Sequence, residues 1–263
     1  MGFGEIPFPD LSSKDVLMFR ILRILPLLML VAAPLAAQES FTPDQRTEVL
    51  DILRRALRED PSILREAMAA LDAAETRDRA VAAAQALAAE RDALARNPAD
   101  VVRGNPRGDV TVVEFFDVRC GYCRQLTPAI TELIRRDPRV RLVLKDLPIL
   151  GPNSVVASRA LIAAQRQGKY GELYDALMAL SGDVAEPQIR REAERLGLDW
   201  ARLRRDMEAP DVMARIETNL ALARRIGVEG TPAMVIGDRL VGGAVPVETL
   251  VQLVAEARTA QRR

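Results

Sequence analysis

The sequence predicts an α/β domain with a helical insertion, preceded by an α-helical segment. Three observations predict it. After residue 99, short runs rich in β-branched and aromatic residues alternate with helical periodicity. A long helical block, about 152–226, separates the third of these runs from a closing hairpin and helix. Residues 42–96 carry helical periodicity and cap signals but no strand signal.

The elements follow in chain order. Met18 to Arg23 carries Arg20 and Arg23, an apolar run extends from Ile24 to Ala33, and Pro34, Leu35, Ala36, Ala37 and Gln38 close it. This is the charged, apolar and small-residue order of a secretory leader. It predicts a signal over residues 1–37, with Met18 as the true start, and a periplasmic protein. An uncleaved N-terminal anchor is the alternative, and it exports the rest equally. Thr42-Pro43-Asp44-Gln45 combines an N-cap, Pro at the first helical position and a capping-box Gln. Val49, Ile52, Leu53, Ala56 and Leu57 recur at helical spacing behind it. Asp60-Pro61 starts a second helix with Leu64, Met68 and Leu71 on one stripe, and Asn97-Pro98 ends the segment. Apolar faces this thin do not fold alone, so residues 38–98 are expected to be a helical oligomerisation segment. The alternative is packing on their own domain.

The main domain is expected over 99–263. Val101 to Arg103 and Val110 to Val118 read as strands, with Gly104-Asn105-Pro106 as the turn between them. A helix follows Cys120, with Pro128 inside it, and Val140 to Leu144 is the third strand. Ala233–Ile236 and Arg239–Val241 flank Gly237-Asp238, the signal of a two-residue hairpin. Pro246 to Arg258 closes the chain as a helix.

Composition removes several functions. Acids and bases number 37 each and aromatics are 4%, so no basic, aromatic-interleaved surface points to nucleic acid. The chain has no His, which excludes Ser-His-Asp and Cys-His catalysis and His-based metal sites. Its two Cys are too few for a four-thiolate centre, and no cofactor is expected.

The chemistry concentrates at Cys120-Gly121-Tyr122-Cys123, which leaves a buried strand and opens a helix. A helix N-terminus favours negative charge, and Arg119 and Arg124 add positive charge beside it. A thiolate is the attacking species in disulfide exchange. Cys123, one turn on, can reach back to resolve a mixed disulfide. Thr231-Pro232, just before the hairpin, is a candidate cis bond that would turn the Thr231 backbone toward a bound chain; the dipeptide alone favours an ordinary trans turn. Glu114 interrupts an apolar strand six residues before Cys120. If buried it needs a partner, and Lys145 at the end of the next strand is the expected one; the alternative is a Glu114 that faces water.

These residues resemble the DsbA family of thioredoxin-fold proteins. The likeness runs from Gly104-Asn105-Pro106 through Glu114-Phe115-Phe116 to Cys120-Gly121-Tyr122-Cys123, and includes Lys145-Asp146-Leu147-Pro148 and Gly230-Thr231-Pro232-Ala233. It implies Cys120 as nucleophile and Cys123 as resolving thiol. It also implies a cis Pro232 facing the pair, a Glu114–Lys145 proton relay and a helical insertion over the site. Gly121, Tyr122, Thr231 and Pro232 are then the residues that meet the client. Residues 41–75 are similar to the ScsC branch, the suppressor of copper sensitivity proteins. That likeness implies a homo-oligomer through residues 42–96, a trimer before a dimer.

Gly-Tyr between the cysteines, in place of Pro-His, and Thr before the proline resemble disulfide isomerases more than DsbA oxidases. The expected function is therefore a periplasmic disulfide isomerase or reductase that acts on client proteins and is recycled by a membrane redox partner. A disulfide-introducing oxidase is the alternative. Two thiolates also suit Cu(I), which makes Cys120 and Cys123 candidate copper ligands.

Overall fold

A computed structural model describes residues 41–262; the expected leader lies outside them. The chain divides into two compact units that meet at Leu71 and Asp72.

The first unit holds helix α1, Pro43–Glu59, and the start of α2, Ser62–Ala89. The capping box forms: Gln45 N donates to Thr42 Oγ1 at 3.2 Å, and Thr42 N donates to Gln45 Oε1 at 2.9 Å. Asp60 Oδ1 accepts from Ser62 N at 2.9 Å and starts α2. The apolar stripe is present but uncovered. Val49, Ile52, Leu53, Leu64, Met68 and Leu71 are all exposed.

The second unit begins inside α2 and continues through α3, Arg91–Ala95. Strands β1 (Val101–Gly104) and β2 (Val110–Phe116) lead to helix α4, Gly121–Arg136, and β3 is Val140–Asp146. Five helices form the insertion: α5 (Pro152–Ala164), α6 (Tyr170–Ala179), α7 (Glu186–Arg195), α8 (Trp200–Asp206) and α9 (Pro210–Arg225). The hairpin β4 (Ala233–Ile236) and β5 (Arg239–Gly242) and helix α10 (Val247–Ala260) complete it. Gly237 takes φ 64°, the left-handed value that a two-residue hairpin demands.

The sheet order is β1-β3-β2-β4-β5. β2 and β3 are parallel, and every other pairing is antiparallel. This is the thioredoxin-like α/β fold with its helical insertion. Both faces of the sheet are covered. Val112, Phe116, Leu142, Leu144 and Met234 pack with α4, α6 and α10. Val113, Phe115, Val143 and Val235 pack on the other face with Leu222 and Ala223 of α9 and with Ile226 just after it.

The expected boundary at 98/99 needs correction. Leu87 and Leu94 are buried in the second of these clusters, against Val113 and Phe115. Residues 72–98 therefore belong to the α/β unit, which is not complete from Ala99. The sequence misleads here because an Ala-rich stretch with two leucines looks too thin to matter, yet those leucines, one on α2 and one on α3, pack on one sheet face.

Candidate active site

β2 ends at Phe116, and Asp117 orders the turn that follows. Its buried carboxylate accepts from Arg119 N at 2.9 Å, and from Ile149 N and Leu150 N at 2.9 and 3.0 Å. Its carbonyl accepts from Cys120 N at 3.0 Å. One side chain thus ties the loop before the cysteines to the loop after β3. Sequence reasoning did not single out Asp117; its place three residues before the first Cys was the available signal.

Cys120 is the N-cap residue of α4 and is 7% exposed, whereas Cys123, one turn in, is fully buried. Both thiols are free. Cys120 Sγ donates to the Thr231 carbonyl at 3.2 Å, and the Thr231–Pro232 bond is cis. The structure thus brings Cys120, Cys123, Thr231 and Pro232 together. Gly121 is exposed and Tyr122 is 66% exposed, so the two residues between the cysteines face outward.

The flanking arginines are engaged by the insertion and by backbone. Arg119 Nε donates to Asp183 Oδ1 at 2.6 Å, and its Nη1 donates to Leu150 O. Arg124 donates to Val118 O at 3.0 Å and to Gly182 O at 2.9 Å. Burial pushes the Cys123 thiol well up, and negative charge at Cys120 and Glu114 adds to this. Cys123 therefore keeps its proton unless a base takes it.

Glu114 is fully buried, so it does not face water. Burial raises its carboxyl to about 7, with the Tyr174 hydroxyl and the Arg103 charge pulling the other way. Tyr174 Oη donates to Glu114 Oε2 over a long 3.4 Å, and Oε1 has no partner.

The expected pairing of Glu114 with Lys145 is not what the strands form. In the β2–β3 register Glu114 lies beside Leu144, and Lys145 beside Phe115. Neighbours in register share a face and the next residue takes the other, so the two side chains point to opposite sides of the sheet. Lys145 Nζ meets Asp100 Oδ2 at 2.6 Å and donates to Ala93 O at 2.7 Å. It is a structural ion pair that ties β3 to α3 and to the residue just before β1.

A copper reading has only the two thiols. Among the described residues no group of three His, Cys, Asp or Glu could hold a metal ion. No helix among them is long and apolar enough to cross a membrane.

A strand-to-helix dithiol against a cis-proline turn, on a sheet of this order, defines a thiol–disulfide oxidoreductase domain of thioredoxin fold. Residues 111–255 match the DSBA-like thioredoxin domain, and the chain belongs to that family. A thioredoxin-like oxidoreductase from Silicibacter pomeroyi DSS-3 is 48% identical; the match covers 64% of this chain and 98% of that one, with a TM-score of 0.63. A linker-deletion form of Proteus mirabilis ScsC is 27% identical over 86% of this chain and 100% of its own, at TM-score 0.64. A periplasmic thioredoxin-like protein from Salmonella enterica serovar Typhimurium is 33% identical over 64% and 95%, at 0.58. The chain is thus ScsC-like. Among curated relatives, Na(+)/H(+) antiporter NhaA 3 of Salinispora tropica is 34% identical over 165 residues. The chain spans about a quarter of the length of that relative: the match takes in 62% of this chain and 25% of the antiporter.

Proposed function

We propose that this protein is a periplasmic disulfide isomerase or reductase that acts on exported client proteins through Cys120. The observation that carries the reading is the asymmetry of the pair: Cys120 reaches the surface beside the Thr231 carbonyl, and Cys123 is sealed behind it. In the reaction, Cys120 thiolate attacks a client disulfide. A Cys120–client mixed disulfide forms and the other client sulfur leaves as a thiolate. Glu114 takes the Cys123 proton, and Cys123 thiolate attacks Cys120 Sγ. The Cys120–Cys123 disulfide forms and the client thiol is released. A reducing partner at the membrane then restores the dithiol. If a client thiol resolves the mixed disulfide first, the bond is moved and the enzyme is unchanged. Thr231, Pro232, Gly121 and Tyr122 form the edge that receives the client chain. The ion pair of Arg119 with Asp183 favours isomerase or reductase over oxidase, because less positive charge is left to stabilise the reduced pair. The leader-like segment and the periplasmic Salmonella relative support the location.

Cys120→Ser is expected to abolish exchange, and Cys123→Ser to accumulate mixed disulfides through Cys120. Mass spectrometry of acid-trapped adducts checks this; client attachment at Cys123 would reverse the assignment.

The open stripe of α1 and α2, together with the ScsC likeness over 86% of the chain, supports assembly through this segment, with three copies favoured. Several Cys pairs in one assembly would re-attack a held client at high effective concentration. Light scattering on the mature chain and on a chain beginning at Asp72 checks this. A trimer and a monomer are expected, respectively, and a monomeric mature chain contradicts the assembly.

A further inference from the structure

Behind Cys123 the second unit contains a cavity of about 110 Å³ lined by Arg103, Gly104, Thr127, Thr131 and Tyr174, with apolar Ile130, Ile134 and Leu142. That is room for several waters, and the lining is polar enough to hold them. It runs from exposed Gly104 and Thr131 to buried Tyr174. At its inner end Tyr174 Oη meets Glu114, whose second carboxylate oxygen is buried and unpartnered. Thr127 at its wall donates to the Cys123 carbonyl at 2.9 Å, so the cavity lies against the turn that carries the second thiol. Near its outer end Arg103 spans the Tyr174 ring, 5.3 Å from its centroid, and pairs with Asp175 at 2.6 and 2.9 Å.

A base that takes a proton at each turnover must return it, and a fully buried carboxyl cannot do so directly. We propose that Tyr174 and Arg103 line the route by which the Glu114 proton reaches solvent, and that both are positioning residues for removal of the Cys123 proton. The proposal rests on the reading of Glu114 as the base for Cys123. The step balances. Cys123 loses its proton to Glu114, Cys123 thiolate closes the Cys120–Cys123 disulfide, and the client sulfur leaves as a thiolate. The Glu114 proton crosses the cavity to water, and water protonates the client thiolate. The titratable and charged groups coupled to Glu114 are Cys123 of α4 and Arg103 of β1 through their charge and Tyr174 of α6 through its hydrogen bond, while its strand neighbours are Leu144 and Met234.

The test uses the full chain. Reduced protein is mixed with glutathione disulfide and quenched with acid at intervals. Mass spectrometry then follows the Cys120–glutathione adduct and the internal disulfide, from about pH 5 to about pH 9. In the wild type, adduct resolution rises with pH through a midpoint of about 7. Tyr174→Phe and Arg103→Gln each remove a group that favours the ionised carboxylate. Each is expected to move that midpoint up by about half a unit to one unit and slow resolution ~3–10-fold below it. Adduct formation should stay at the wild-type rate. If both variants keep the wild-type profile while Glu114→Gln flattens it, the route is wrong and the base stands. If Glu114→Gln itself keeps the wild-type profile, the base falls and the route falls with it. An equal slowing of both steps with an unmoved midpoint means a packing role and also overturns the route.

Discussion

Glu114 ionises at about pH 7 because the sheet and the helices over it remove water from the carboxyl. The same shift acts on stability. The folded state holds this proton up to about 7, whereas the unfolded chain loses it in the ordinary carboxylate range, near 4.5. Between those values the folded state binds more protons, so the contribution to stability falls as pH rises through the window and is constant above it. Glu114→Gln removes this titration. It is expected to stabilise the protein by about 3 kcal/mol at about pH 8, with little effect at about pH 4. Urea midpoints at the two pH values check the difference; an equal effect at both would contradict the burial argument. Glu114 was legible in the sequence because a carboxylate interrupts an apolar strand. Tyr174 was not, because it lies 60 residues further on in a helical block whose periodicity says nothing about which strand residue it meets.

At the scale of elements, strand register decides which charges meet. The run from Val140 to Leu144 reads as a strand, but its pairing with β2 is invisible in either sequence segment alone. A one-residue difference in parity moves Lys145 from Glu114 to Asp100. Burial holds the Lys145 ammonium below its ordinary range and the Asp100 carboxyl above its own, while each supports the charge of the other. Lys145→Met leaves Asp100 buried and unpaired, and is expected to cost about 3–5 kcal/mol. The exchange rate of the folded protein should stay at wild type, since Lys145 lies across the sheet from the thiols. A denaturant melt paired with a turnover assay reads both; slowed exchange in folded protein would restore Lys145 to the relay. The same reasoning separates the leucines of α2 and α3. Leu94→Ala opens a buried cluster and should cost about 2–5 kcal/mol, whereas Leu64→Ala on the exposed stripe should cost well under 1 kcal/mol in the isolated chain. Denaturation midpoints below the assembly concentration check the contrast.

For the whole molecule, strand order along the chain, the hairpin and the insertion were all readable, since each carries its own punctuation in Gly, Pro and cap residues. The extent of the α/β unit was not. It depends on long-range burial of Leu87 and Leu94, which local periodicity ranks as minor. The thiol pair was legible because two cysteines three apart at a strand-to-helix junction admit few other roles. The direction of exchange depends on how the surrounding charges are engaged. Arg119 and Arg124, which the sequence places beside Cys120, are held by Asp183, Leu150, Gly182 and Val118. The reduction potential of the Cys120–Cys123 pair, measured against glutathione on the mature chain, tests this account most directly. A value near that of disulfide isomerases, about −180 mV, or lower is expected; a value near that of the oxidase DsbA, about −120 mV, would contradict an isomerase or reductase.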